Sequence, residues 1–156
     1  ENTEVCAMIT DGEEAGLRGC KQWAKDHYDE YVNSGVETAV LCVDTLADLE
    51  YLRVYNKDMT GTVKNSQQFS QLVMDSAKDS GHNDLQFSSV YFGSSDAAAF
   101  SQAGITATCL AAMDPKPADY YHNRRDTAER LVPEAIKTGF DVIISTILNF
   151  DEKGLN

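Results

Sequence analysis

Residues 5 to 19 read Val-Cys-Ala-Met-Ile-Thr-Asp-Gly-Glu-Glu-Ala-Gly-Leu-Arg-Gly. Val5 to Ile9 is a short apolar run of the kind that forms a buried strand. Thr10 to Gly16 is a turn bounded by glycines. From Leu17 to about Tyr31 the positions Leu17, Cys20, Trp23, Ala24 and His27 or Tyr28 recur at helical spacing, and Asn33-Ser-Gly35 ends the helix. A strand, a polar turn and an amphipathic helix in that order predict the opening of an α/β unit.

The rest of the chain continues the alternation. Glu37 to Val43 is a second strand candidate, closed by Asp44. Leu49 to Tyr55 alternates as an exposed or edge strand does, and Asn56 to Gly61 turns the chain. Gln67 to Ser80 predicts a helix with Phe69, Leu72, Val73 and Ala77 inward. Phe87 to Phe92 is a third core strand candidate, followed by Gly93 to Asp96 and a short helix through Phe100. The apolar run Ile105 to Leu110 follows. Ala112 to Asn123 is a structured loop. The last helix has Pro133 in its first turn, where a missing backbone donor costs nothing. Its expected buried stripe is Ile136, Phe140, Ile143, Ile144, Ile147 and Leu148. Strands alternating with helices predict one domain over residues 1–156, a three-layer α/β/α fold with a mostly parallel central sheet. Such sheets bind ligands at the carboxyl ends of their strands. That rule gathers Glu13-Glu14, Asp44, Ser95-Asp96 and His122 on one rim.

Composition narrows the partners. The chain has 156 residues, enough to bury about 68% of its unfolded surface in one core. Its net charge of -12, from 25 acidic against 13 basic residues, repels phosphate backbones and argues against nucleic acid. No apolar run is long enough to span a membrane. The four cysteines form no Cys-x-x-Cys and predict buried reduced thiols, which lean towards the cytoplasm; a secreted protein freed of its leader would look the same. The chain contains no Gly-x-Ser-x-Gly elbow, no glycine-rich phosphate fingerprint and no His-Glu-x-x-His.

Glu13-Glu14 is the sharpest local feature. One carboxylate of such a pair can hold a cation while its neighbour takes a proton from activated water. Acidic side chains are also simply favoured at a helix amino terminus. Asp44, ending a buried strand, needs a hydrogen bond or a cation to offset desolvation; an Asx-turn or N-cap role serves equally. His122 is a candidate zinc ligand or a solvent-facing loop histidine. His27 and His82 read as helix-surface and loop histidines. Ser95 or Asp96 caps the short helix. Asp126 stands three residues before Glu129, as in a capping box.

Taken in order, Asp-Gly-Glu-Glu-Ala-Gly-Leu-Arg-Gly at 11–19, Asp44, Gly-Ser-Ser-Asp-Ala-Ala-Ala-Phe-Ser-Gln-Ala-Gly-Ile at 93–105 and Tyr-His-Asn-Arg-Arg-Asp-Thr at 121–127 resemble the M28 family of zinc aminopeptidases and carboxypeptidases. The resemblance implies a zinc-exopeptidase-like fold that removes an amino-terminal residue from a peptide substrate through water activated by two zinc ions. It implies Glu13 as general base, Glu14 and His122 as ligands of one zinc and Asp44 as a ligand of the other. Asp96 would support the substrate end and Asp126 the His122 loop. The family pattern also has an upstream His ligand and a bridging Asp, which these residues lack, and it places His and Thr where this chain has Ala97 and Asn123. On this reading the chain is the C-terminal part of the catalytic domain, without its N-terminal elements. Zinc occupancy in it alone is then partial or nil, and a second copy or a partner chain covers the sheet edge. Two alternatives follow from the same fold: a non-catalytic α/β scaffold, and a glutaminyl cyclase-like acyltransferase using one zinc.

Overall fold

The computed structural model describes residues 2–114, 116 and 118–155. Among these, five strands form one sheet: β1 (Val40–Asp44), β2 (Leu52–Asp58), β3 (Val63–Lys64), β4 (Phe87–Ser89) and β5 (Ala107–Ala112). The helices are α1 (Arg18–Asp26), α2 (Tyr28–Tyr31), α3 (Gln67–Asp79), α4 (Asp96–Gln102) and α5 (Pro133–Lys153). The sheet runs β1-β5-β2-β3, with β4 paired to β2. β1 lies parallel to β5, from Val40 opposite Ala107 to Asp44 opposite Ala111. β4 lies parallel to β2, whereas β5 and β3 run antiparallel to it.

The pleat of β5 assigns the layers. All six of its residues are buried, so it is covered on both faces. Ala107, Cys109 and Ala111 point into one core with Leu17, Cys20, Ala24 and the Ala97–Phe100 face of α4. Leu110 and Ala112 point into the other with Leu52, Val54, Phe69, Val73 and Val142. Helices α1 and α4 therefore cover one face and α3 and α5 the other, the three-layer arrangement expected from the alternation. Local signals set the ends. Ser66 caps α3 by accepting from the Phe69 N–H at 3.2 Å, Ser95 caps α4 by accepting from the Ala97 N–H at 3.3 Å, and Pro133 opens α5.

Several expectations are corrected. Residues 5–9 form no strand: they are irregular, with Val5 59% and Ile9 98% exposed. An apolar run becomes a strand only where a ladder partner stands beside it, and the described residues offer it none. The predicted edge strand at 49–55 begins instead with a 3₁₀ turn at Leu49–Tyr51, and the strand itself runs on to Asp58. β2 is instead an interior strand, paired with β5, β3 and β4, and Leu52 and Val54 face one core and Tyr55 the other. The single helix expected from Leu17 to Tyr31 breaks at His27, whose Nδ1 lies 3.0 Å from the Trp23 carbonyl.

The last helix also differs from its pattern. Its buried face is Ala135, Thr138, Gly139, Val142, Thr146 and Asn149, while Phe140, Ile144 and Leu148 are 53–64% exposed. Small residues win that face because they let the helix approach closely, with Leu46 packed against Gly139. Polar pairs finish the contact: the Asn149 amide donates to Ser76 Oγ at 2.9 Å and to Asp79 at 3.0 Å. The four thiols are free, but only Cys20 and Cys109 are buried and Cys6 is exposed. No helix among the described residues is long and apolar enough to cross a membrane.

Candidate active site

The turn carrying Glu13 and Glu14 is tightly wound. Gly12 and Gly16 have φ of 67° and 97°, and Leu17 follows at 60°. For leucine that conformation is strained, and burial to 1% exposure holds it. Backbone bonds close the turn: Leu17 N–H to the Glu13 carbonyl (2.8 Å), Arg18 to Gly12 (3.1 Å) and Gly19 to Asp11 (2.9 Å). Gly19 sits directly against the Asp11 backbone, where a Cβ would overlap the carbonyl oxygen. Gly19→Ala is therefore expected to cost about 1–3 kcal/mol. A urea titration should show the lower midpoint at an unchanged slope; a midpoint equal to that of the parent would show that the turn can step aside.

Glu13 is half-buried and its neighbours are mostly anionic. Burial first, then Glu14, Asp44 and Asp96, push its carboxyl up to about 7, with His122 opposing. The same couplings locate the cluster: Glu14, Asp44, Asp96 and His122 all lie within electrostatic reach of Glu13. Glu14 and His122 meet directly, with Oε1 and Nε2 3.0 Å apart and both side chains more than half exposed. His122 adopts a left-handed φ of 56° and its ring stacks on Tyr121, centroids 3.9 Å apart; Phe92 meets Tyr121 edge-on at 6.0 Å. Glu14, Glu13 and Asp44 also raise the Tyr121 hydroxyl, after burial, so that ring borders the same cluster.

Asp44 behaves differently from expectation. It is exposed, so it has no desolvation to offset, and its Oδ1 accepts from the Thr45 hydroxyl at 2.9 Å. Edge strand β1 leaves it open, and Val43 beside it is 44% exposed. Asp126 does not cap a helix. The 3₁₀ turn at Ala128–Arg130 has Thr127 in the cap position, with no side-chain cap hydrogen bond. Asp126 instead donates its backbone N–H to the Asn123 carbonyl at 3.1 Å, inside the turn that carries His122.

Glu14 and His122 offer one carboxylate oxygen and one imidazole nitrogen at a separation close to the ~3.3 Å between two corners of a tetrahedral zinc with bonds of about 2.0–2.1 Å. They fit half of such a site. Among the described residues no three His, Cys, Asp or Glu side chains stand close enough together to hold a metal ion, so Asp44 does not join that pair.

Two residues bearing on the site were not singled out in the sequence. Asp58, at the end of β2, is fully buried; its carboxylate accepts from the Ser95 N–H (3.0 Å), the Ser95 hydroxyl (2.6 Å) and the Met59 N–H (2.7 Å). Thr10 donates its hydroxyl to Asp96 Oδ2 at 2.6 Å. The rule that polar residues at strand ends matter would have found Asp58, had β2 been followed to its true end.

A profile of peptidase family M28 matches residues 2–147 of this chain. The chain belongs to peptidase family M28. Solved structures agree in fold. LapB from Legionella pneumophila superposes with a TM-score of 0.72 at 19% identity, covering 92% of this chain and 38% of its own. A glutaminyl cyclase from an Acidobacteriales bacterium gives 0.69 at 18%, covering 88% and 47%. A zinc aminopeptidase from Bacillus subtilis gives 0.63 at 21%, covering 90% and 33%. This M28 chain thus spans between a third and a half of the length of those proteins. No curated protein matches it.

Proposed function

We propose that this M28 chain carries the proton-transfer half of a zinc-dependent exopeptidase site acting on the amino-terminal bond of a peptide. The observation that carries the reading is the meeting of Glu14 with His122 beside a half-buried Glu13 whose carboxyl is pushed up to about 7. Glu14 and His122 would hold one zinc, and Asp44, on the same rim, would serve a second. Bound zinc supplies a Lewis acid that polarises a carbonyl and acidifies water. Glu13, beside the Glu14–His122 pair, would accept the proton of the attacking water and return it to the leaving amine. Tyr121 and Phe92 would wall the substrate side. The acidic rim attracts a protonated peptide amino terminus.

Calorimetric zinc titration of the protein, paired with a panel of aminoacyl amides, tests this. In the full-length parent two tight zinc ions with turnover are the expected result, and no zinc binding would end the proposal. This chain alone is expected to hold zinc partially or not at all. A second reading is favoured by one observation: the two donors that do meet, Glu14 and His122, serve a single metal. One zinc per chain, with cyclisation of an amino-terminal glutamine and no amide hydrolysis, would assign the chemistry of the cyclase relative instead. The outer edge of β1 is unpaired among the described residues, and we propose it as the place where further chain or a partner adds to the sheet.

A further inference from the structure

We propose that Asp96 is a positioning residue that clamps both ends of the Glu13-Glu14 turn, through Thr10 on one side and Cys20 on the other. Asp96 Oδ2 accepts from the Thr10 hydroxyl at 2.6 Å and Oδ1 from the Cys20 thiol at 2.8 Å. Thr10 is the last residue before the Asp11–Gly19 turn and Cys20 the first after it. One carboxylate, 86 and 76 positions away along the chain, thus grips the two flanks of the loop that presents Glu13.

The clamp is independent of helix capping. Ser95, not Asp96, caps α4, which leaves the Asp96 carboxylate available to the turn. Its seat is rigid. Ser95 is 1% exposed and bonded twice to the fully buried Asp58, and the Ala97–Phe100 face of α4 lies in the core beside Leu17 and Cys20. The Cys20 thiol is pushed up to about 12 by burial and by Asp96, so it stays a donor. Two hydrogen bonds to the Asp96 carboxylate, one from a hydroxyl and one from a weaker thiol donor, span a segment with three residues at positive φ, Gly12, Gly16 and Leu17. A base displaced by about 1 Å can lose on the order of 10²-fold in rate. The expected role is therefore to fix where Glu13 sits, with no contact between Asp96 and substrate.

The importance of that position rests on the exopeptidase reading, but the clamp can be tested without turnover. Residue-resolved amide exchange would be compared among the parent chain, Asp96→Ala, Thr10→Val, Cys20→Ala and Cys20→Ser. Asp96→Ala should speed exchange at Leu17, Arg18 and Gly19 by about tenfold or more, the equivalent of one charged hydrogen bond, and leave the β5 amides unchanged. Thr10→Val and Cys20→Ala should each give a smaller increase, and Cys20→Ser should restore protection. Unchanged turn amides in Thr10→Val and Cys20→Ala would overturn the clamp, as would an equal rise in β5, the mark of general destabilisation. With zinc and an aminoacyl amide, Asp96→Asn should lower kcat at constant KM. A full-length parent that binds no zinc and turns nothing over would end the exopeptidase reading while the exchange data still decide the clamp.

Discussion

Glu13→Gln is expected to reduce zinc-supported hydrolysis of an aminoacyl amide by about 10²–10⁴-fold, the usual contribution of a positioned general base. Glutamine keeps the shape and the turn, whose closing bonds use the backbone carbonyl of residue 13 and not its side chain. It removes the one carboxyl in the cluster that burial and like-charged neighbours raise to about 7. The loss should therefore fall on kcat, because a side-chain amide can neither take the proton from water nor return it. The thermal midpoint should stay level or rise, since an anion beside Glu14, Asp44 and Asp96 is relieved. Steady-state kinetics and a melting curve on the same preparation check both halves. A variant that retains more than a tenth of the parent kcat would remove Glu13 from the chemistry, and a large fall in midpoint would reveal a structural role in its place.

Asp58→Ala is expected to have the largest effect on stability. The side chain is fully buried and accepts three hydrogen bonds, two of them from Ser95. Truncation strands the buried hydroxyl and N–H of Ser95, each costing about 1–3 kcal/mol when left without a partner. A total loss on the order of 2–5 kcal/mol follows, or roughly 5–20 °C in Tm for a domain of this size. Asp58→Asn retains an oxygen acceptor and should lose clearly less. Calorimetric melting of the two variants separates the cases. An alanine variant as stable as the parent would mean that water or relaxation replaces the carboxylate at little cost.

The local elements were legible where neighbours along the chain decide them. The periodicity of residues 67–79 gave a helix with Phe69, Val73 and Ala77 buried, and Ser66 capped it as such residues do. The apolar run ahead of Ala112 produced the central strand β5. The pattern failed where packing outweighed it. Val5 to Ile9 has strand composition and no ladder partner among the described residues. Phe140, Ile144 and Leu148 looked like a core stripe, yet α5 turned its small and polar face inward because Gly139 and Asn149 allow a closer and fully bonded approach to Leu46, Ser76 and Asp79.

The same division runs through the site. By itself the sequence determined the family, the Asp-Gly-Glu-Glu-Ala-Gly turn between an apolar run and a helix, and the residues whose chemistry suits water activation. Those properties lie in side-chain type and order, which need no third dimension. Only the tertiary structure decided that Glu14 and His122 touch while the exposed Asp44 does not join them in a three-donor group. It alone showed that Asp126 is no cap, and that Asp58, Ser95, Asp96, Thr10 and Cys20 form a chain of bonds ending at the turn of Glu13. Contacts across 76 and 86 residues are set by which helix covers which face of the sheet, and a carboxyl's affinity for its proton is set by the burial and charge that such packing brings.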